Sequence, residues 1–259
     1  MKLKFLISAT LVILSTLAFG QNSFKYEVSL RPISIDGLEG LHSYAFAQHN
    51  NKWLIIGGRT DGMHARQPNS SFPTSSNNTN MYVVDVQAKK FWSTPLSSLP
   101  NRIKEQLQST NMNFYQDEDT LHIIGGYAYS AAANDHITFP NLTTVQVSSV
   151  IDAIINGNSI VPYFKQITDD VFAVTGGQMG KIHDKFYLVG GQRFDGRYNP
   201  MGHATYTQTY TDAIRNFTIN NSASQLSYAN YSEQTDAVHL HRRDYNLLPQ
   251  IFPDGTFGY

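Results

Sequence analysis

One six-residue pattern occurs three times in this chain, and it limits the possible fold more than any other feature. Each copy has an aromatic residue or leucine, any residue, two aliphatic residues and a Gly-Gly pair: Trp53–Gly58, Leu121–Gly126 and Phe186–Gly191. The second glycines lie 68 and 65 residues apart. This period is too long for one turn of a solenoid, and it suits a four-stranded antiparallel unit with generous loops.

A second strand candidate precedes each copy. Gln48, Gln116 and Lys181 lie ten residues before the second glycine of their pairs. Between these residues and the Gly-Gly strands are short polar segments that favour hairpin turns, namely His49-Asn50-Asn51, Asp117-Glu118-Asp119 and His183-Asp184. The predicted unit is therefore a strand, a tight turn, a second strand and Gly-Gly.

After each Gly-Gly pair the sequence predicts a long polar loop and two more strands. The candidates for the third strand are Met81 to Val86, Leu142 to Val147 and Tyr210 to Ile219. The candidates for the fourth strand are Phe91-Trp92, Tyr163 to Thr168 and Gln225 to Tyr231. A short helical insertion is predicted at Ser149 to Asn156, where Val150, Ile151, Ile154 and Ile155 share one helical face.

The composition agrees with an all-β globular protein. The chain is 41% hydrophobic and 12% aromatic, so it can bury a sizeable core, and its many Tyr, Phe and Gly residues favour strands and turns. It has no cysteine, which excludes disulfides, thiolate metal sites and cysteine nucleophiles.

The N-terminus has the pattern of a secretion signal. Lys2 and Lys4 precede an apolar run from Phe5 to Phe19, and small residues stand before Gln21. We therefore expect residues 1–20 to be a signal peptide and the mature protein to be secreted, periplasmic or on the cell surface. No later segment is apolar for long enough to predict a membrane span.

The charge balance argues against a nucleic-acid partner. The formal net charge of −1 becomes −3 when Lys2 and Lys4 are removed with the signal. This leaves no excess of basic residues to neutralise phosphates.

The strand, the Gly-Gly pair, the variable loop, Tyr82-Val83-Val84-Asp85 and Trp92 together resemble a kelch repeat, the unit of kelch and galactose-oxidase-type β-propellers. The resemblance covers about residues 40–259, and the first unit matches best. More narrowly, the chain resembles secreted kelch-like proteins of Bacteroidota. The resemblance implies a kelch-type β-propeller of four-stranded blades over residues 21–259, with structural roles for Trp92 and for the glycines Gly57, Gly58, Gly125, Gly126, Gly190 and Gly191.

A fourth unit begins at Arg242 and turns at Pro253-Asp254-Gly255, and Tyr259 falls inside its second strand. About three and a half blades do not close a propeller, which typically has four to eight. We therefore expect the missing blades to come from the rest of a longer product. Completion by another chain is the alternative.

Two of the loops after Gly-Gly share a polar sub-motif, Arg59-Thr60-Asp61-Gly62 and Arg193-Phe194-Asp195-Gly196. Arginine presents a rigid fork suited to carboxylates and sulfates, and Asp and His can hydrogen-bond sugar hydroxyls. The ligand-binding candidates in these two loops are Arg59, Asp61, His64, Arg66, Arg193, Asp195, Arg197 and His203. The alternative is structural: Asp-Gly turns, with arginines that tie one unit to the next.

Other chemistry has weaker support in the sequence. His239-Leu240-His241 could present two imidazoles, but no further ligand can be assigned, so no metal or cofactor is predicted. For Arg242, Arg243 and Asp244, an ion pair within the unit is favoured over ligand contact. The copper-radical chemistry of galactose oxidase needs a Tyr-Cys crosslink, which a chain without cysteine cannot form.

Three functional hypotheses remain open at this stage, and no catalytic residue can be named. The first is a non-enzymatic module that binds a glycan or a protein at the mouth of the propeller. The second, implied by the resemblance, is a sugar-acid isomerase or epimerase that uses Arg to hold a carboxylate and His or Glu for proton transfer. The third is a structural component of a surface assembly.

Overall fold

The computed structural model describes residues 26–222 and 224–259, and the predicted signal at residues 1–20 lies outside them. The chain divides into two units, residues 1–34 and residues 35–259. In the first unit, residues 26–34 contain neither helix nor strand. The second unit is mostly β, in agreement with the predicted all-β class, and it contains two short helices.

Three four-stranded antiparallel sheets follow one another along the second unit, and each has the same meander order. Sheet I consists of β1 (Ala45–His49), β2 (Lys52–Ile56), β3 (Asn80–Asp85) and β4 (Lys90–Pro95). Sheet II consists of β5 (Asn113–Asp117), β6 (Thr120–Ile124), β9 (Asn141–Gln146) and β10 (Phe164–Thr168). Sheet III consists of β11 (Gln178–Ile182), β12 (Lys185–Val189), β15 (Ala213–Asn221) and β16 (Leu226–Thr235).

The first two strands of each sheet form the predicted tight hairpin. The residues that close the turns are His49 with Lys52, Asp117 with Thr120, and Ile182 with Lys185. Each turn therefore has two residues, and it uses left-handed backbone at Asn50, Asn51, Glu118 and His183. Polar residues tolerate this conformation best, which is why the turns could be recognised in the sequence.

The segments after the second and third Gly-Gly pairs are not the long loops that we expected. They begin with two-stranded hairpins, β7 (Tyr127–Ser130) with β8 (Asp135–Thr138), and β13 (Gln192–Gly196) with β14 (Tyr206–Tyr210). The third strand of sheet III consequently begins at Ala213 and not at Tyr210. Near the C-terminus, β17 (Gln250–Ile251) pairs with β18 (Phe257–Gly258) across the predicted turn.

The two helices pack with sheets I and II, one of them between β4 and β5 in the chain and the other between β9 and β10. Helix α2 (Val147–Asn156) contains the predicted helical insertion and ends at Gly157, whose left-handed backbone provides the C-cap. Helix α1 (Asn101–Leu107) was not predicted, and it buries Ile103, Gln106 and Leu107. Among the described residues, no helix is long and apolar enough to cross a membrane.

Three buried clusters form the core of the second unit, and the smallest consists of Ile55, Tyr82 and Val84 on sheet I. The largest is shared by sheets I and II and the two helices, and Trp92 packs against it while remaining partly exposed. The third lies between sheets II and III and includes Phe172, Leu188 and Phe217. Neighbouring sheets contact each other through their first strands, β5 with β1 and β11 with β5, and sheets II and III also contact through their fourth strands, β10 and β16.

The Gly-Gly pairs connect each unit to the next one through main-chain hydrogen bonds. The N–H of the second glycine donates to a carbonyl of the following unit: Gly58 to Ser109 (2.9 Å), Gly126 to Val174 (3.2 Å) and Gly191 to Arg242 (2.8 Å). A Cβ on Gly125 would overlap the carbonyl oxygen of Val174. Glycine is required here because the next unit's main chain lies where a side chain would begin.

A further repeated position, which the sequence motifs did not predict, connects the units. Ser43, Asn111, Gly176 and Asp244 all have left-handed backbone. Asn111 N–H donates to Ser43 O (3.1 Å), Gly176 N–H to Asn111 O (3.1 Å), and Asp244 N–H to Gly176 O (2.7 Å). We call this chain of main-chain hydrogen bonds the relay. It joins one residue from each of four successive units.

Candidate functional site

A cavity of about 150 Å³ lies beside the relay, and four successive units contribute to its wall. We call it the junction cavity. The first unit provides a loop, the second and third units provide the residues that follow Gly-Gly and precede the first strand, and the fourth unit provides its first residues. Its lining comprises His64, Phe72, Thr110, Asn111, Tyr127, Thr175, Gln192, Phe194, Tyr198, Arg243 and Asp244.

One side of the junction cavity is aromatic. The Tyr127 ring meets Phe72 and Phe194 edge to face, with centroids 5.2 Å apart in both pairs. His64 lies 4.8 Å from Phe72 and 5.0 Å from Tyr198, measured between ring centroids. This cluster fixes the rings against one another and leaves an apolar surface facing the cavity.

The Tyr127 phenol is a structural group within this wall. Its OH donates to Gly196 O (2.7 Å) and accepts from Tyr198 N–H (3.2 Å). Burial raises the pKa of the phenol, so it stays neutral. Tyr127 therefore attaches the end of β13 and the loop that follows it to the β7–β8 hairpin.

The opposite side of the junction cavity is polar. Arg243 Nη1 donates to Gln192 Oε1 (3.2 Å), and Arg243 Nε lies 3.6 Å from Asp244 Oδ2. Asn111 Nδ2 lies 3.5 Å from the other Asp244 oxygen. Partial burial raises the pKa of the Asp244 carboxyl above its ordinary value although the side chain is 53% exposed, and the nearby Arg243 charge only partly opposes this shift.

Arg59 and Asp61, the first predicted pair, are bound to each other and to their own loop. Arg59 donates from Nε to Asp61 Oδ1 (2.9 Å) and from Nη2 to Asp61 Oδ2 (2.6 Å). It also donates to Asn77 Oδ1 (2.8 Å) and Pro73 O (3.2 Å), and its side chain is 2% exposed. The guanidinium lies 5.1 Å from the Phe72 ring centroid, so Arg59 supports the aromatic wall.

Arg193 and Asp195, the second predicted pair, are more exposed. Arg193 Nε donates to Asp195 Oδ2 (2.6 Å), and this bond raises the pKa of the Arg193 guanidinium. The Arg193 side chain is 48% exposed. Asp195 Oδ1 accepts from Thr138 N–H (3.0 Å), which fastens β13 to β8.

The other four candidates separate into two groups. His64 lines the junction cavity, and Arg197 lines a second cavity of about 470 Å³ that we call the Arg197 cavity. Arg66 is exposed. His203 contributes its carbonyl, which accepts from Asn199 Nδ2 (3.0 Å). Of the eight predicted residues, the structure therefore places one, His64, in the lining of the junction cavity and one, Arg197, in the lining of the Arg197 cavity.

The two imidazoles of His239-Leu240-His241 face different carboxylates. His239 Nδ1 is 2.8 Å from Asp236 Oδ2, and His241 Nδ1 is 2.8 Å from Asp212 Oδ1. His241 also stacks on Tyr210, with centroids 3.9 Å apart. Each histidine therefore has its own acidic partner.

Comparison with known proteins gives no family assignment. The chain matches no model of a protein family, and a search of curated proteins finds no significant relative. The functional argument therefore rests on the residues of the cavities.

Most lining residues were missed because they are ordinary aromatic and amide residues without a motif. A signal was nevertheless present. Thr110, Thr175 and Arg243 occupy equivalent places before the first strand of their units, and Tyr127 and Gln192 directly follow Gly-Gly. Aligning the repeats at Gly-Gly and examining the flanking positions would have selected them.

Proposed function

We propose that this chain is exported, that it folds into kelch-type β-propeller blades, and that its junction cavity binds a saccharide. Three features support the propeller: the repeated meander order, contact between sheets through their first strands, and the main-chain hydrogen bonds of the Gly-Gly pairs. In this proposal the three sheets are successive blades, the relay runs near the axis, and the junction cavity lies at the mouth.

The observation that carries the binding proposal is the composition of the junction cavity. Aromatic rings form one side, and amide, carboxylate and guanidinium groups form the other. A pyranose ring has the same two characters, with C–H faces that pack on aromatic rings and hydroxyls that exchange hydrogen bonds with planar polar groups. A cavity of about 150 Å³ holds one six-membered ring.

Ligand-observed NMR against neutral and acidic monosaccharides tests the proposal. Saturation transfer to glucose, galactose, glucuronate and galacturonate would identify a bound sugar. We expect Arg243→Gln to weaken binding of the best sugar about tenfold or more, because a hydrogen bond from a charged group contributes about 1.5–3 kcal/mol.

Arg242→Gln is the matched control. Arg242 is the preceding residue, and its Nε donates to His239 O (3.0 Å) outside the cavity lining. We expect its affinity to stay within about twofold of wild type. Equal losses in the two variants, or no saturation transfer to any sugar, would contradict saccharide binding in the junction cavity.

One observation favours a second candidate, a proton-transfer enzyme that acts on a sugar acid. Asp244 combines a raised pKa with a place in the cavity beside Arg243, an arrangement suited to an acid-base group near a carboxylate clamp. In this candidate Arg243 holds the substrate carboxylate and Asp244 exchanges a proton. NMR of anomer interconversion would show acceleration by wild type and its loss in Asp244→Asn, whereas the binding module would leave the uncatalysed rate unchanged.

A further inference from the structure

The Arg197 cavity shares a wall with the junction cavity. Phe72 lines both, and its left-handed backbone is unusual for an aromatic residue. Arg197 and Tyr198 are consecutive, and they line the Arg197 cavity and the junction cavity respectively. The ring centroids of Tyr127 and His136, one from each lining, are 5.7 Å apart. One layer of aromatic rings therefore separates the two cavities.

Arg197 is fixed in place and keeps donors for a ligand. Its Nε donates to Ser71 O (2.8 Å). Among the described residues, the guanidinium makes no other hydrogen bond. The side chain is half-buried. The two terminal nitrogens form a fork that matches a carboxylate.

His136 contributes an acceptor to the same cavity. Its Nε2 lies 3.0 Å from Phe72 O, so Nε2 carries the hydrogen and Nδ1 is the acceptor. Burial lowers the pKa of His136, which keeps the imidazole neutral in this tautomer. The same hydrogen bond holds the Phe72 main chain, so His136 also positions the shared wall.

Asp135 makes the Arg197 cavity better suited to a saccharide than to a simple anion. Its Oδ1 accepts from His136 N–H (2.7 Å), and the carboxylate belongs to the cavity wall with the Tyr129 ring and Thr74. A bare anion would meet the Asp135 charge. An acidic sugar can present hydroxyl donors to Asp135 and His136 and its carboxylate to Arg197.

We propose that the Arg197 cavity is a second subsite of the same binding site, and that the ligand is an acidic saccharide at least two rings long. One ring occupies the junction cavity, and the acidic group of the neighbouring ring binds Arg197. This inference rests on the proposed saccharide-binding function and deepens it by naming the ligand class. The two rings would bind on either side of Phe72, which lines both cavities.

Titrations with three probes test the inference: galacturonic acid, digalacturonic acid and the dimethyl ester of digalacturonic acid. We expect wild type to bind the acidic dimer at least about tenfold more tightly than the monomer or the ester. Arg197→Gln should remove this advantage and leave monomer affinity within about twofold. Arg66→Gln is the control, because it removes the same charge from an exposed residue outside both cavity linings.

The outcomes separate the two proposals. Monomer binding without an advantage for the dimer would overturn the second subsite and leave saccharide binding intact. The same holds if Arg197→Gln keeps the dimer advantage, or if Arg66→Gln loses as much affinity, since the effect would then be general attraction between charges. Absence of binding to all three probes would overturn the second subsite, and saccharide binding itself would be overturned only if the neutral and acidic monosaccharides of the panel also gave no saturation transfer.

Discussion

Two segments that follow Gly-Gly carry the same sub-motif, but their arginines differ in burial and in hydrogen bonding. In Arg59-Thr60-Asp61-Gly62 the arginine is buried and makes four hydrogen bonds within its own loop. In Arg193-Phe194-Asp195-Gly196 the segment is strand β13, whose alternation directs Arg193 outward and Phe194 into the aromatic cluster. The backbone conformation, and not the residue types, therefore decides which arginine supports the cavity wall.

The sharpest test of this contrast is to replace each arginine with methionine. Arg59→Met removes both hydrogen bonds to the Asp61 carboxylate and leaves it with the His42 imidazole 3.8 Å away. It also removes the support under Phe72, so we expect a loss of about 3 kcal/mol in the free energy of unfolding. For the exposed Arg193→Met we expect a loss of about 1 kcal/mol or less. Urea denaturation monitored by circular dichroism measures both, and equal losses would mean that the loops are equivalent.

The final glycines of the two sub-motifs should also differ. Both have left-handed backbone, but a Cβ on Gly62 meets nothing within 4 Å, whereas one on Gly196 would overlap the carbonyl oxygen of Thr205. We expect Gly62→Ala to cost about 1 kcal/mol from backbone strain alone, and Gly196→Ala about 3 kcal/mol from strain and overlap together. Thermal denaturation of the two variants compares them, and a larger loss in Gly62→Ala would refute this account of the loops.

The smallest effect concerns pH. The hydrogen bond from Arg59 lowers the pKa of Asp61 below its ordinary value of 3.8. Because the folded-state pKa is the lower one, the pair stabilises the protein above about pH 4, and this contribution is lost as the pH falls through the folded-state pKa. We expect Asp61→Asn to flatten the decline of the free energy of unfolding below about pH 4.

Urea titrations between about pH 7 and pH 2.5 measure this slope. Asp184→Asn, in the exposed turn between β11 and β12, controls for the loss of one surface carboxylate. A slope in Asp61→Asn as steep as in the control would contradict the assigned role of the Arg59–Asp61 pair.

Much of the strand framework could be predicted, because its signals are local. Gly-Gly, the two-residue polar turns and the apolar strands each act over a few residues, so the hairpins and the four-strand units followed from the sequence. Helix α1 was missed because it is only seven residues long and its buried side chains, Ile103, Gln106 and Leu107, include an amide. The hairpins after the second and third Gly-Gly pairs were not predicted because these segments contain many polar residues, a composition that is typical of loops.

The candidate site was harder to predict because it depends on contacts outside the short motifs. Whether Arg59 is buried depends on Asn77 and Phe72, which lie further along the same loop, and the four residues of the sub-motif do not predict these contacts. Arg243 and Asp244 lie close enough for the ion pair that the sequence favoured. They also line the junction cavity, which the sequence did not predict. The relay could have been found, since Ser43, Asn111, Gly176 and Asp244 are residue types compatible with turns at the period of the repeat.

The most direct test of the central claim is to map the bound sugar onto the backbone by NMR. Amide shifts would be followed while the best sugar from the monosaccharide panel is titrated into isotope-labelled protein. The account predicts that the largest changes occur at Thr110, Tyr127, Thr175, Gln192 and Asp244, which come from three units around one cavity. Changes concentrated on the outer strands β4, β10 and β16, with these five amides unmoved, would contradict it.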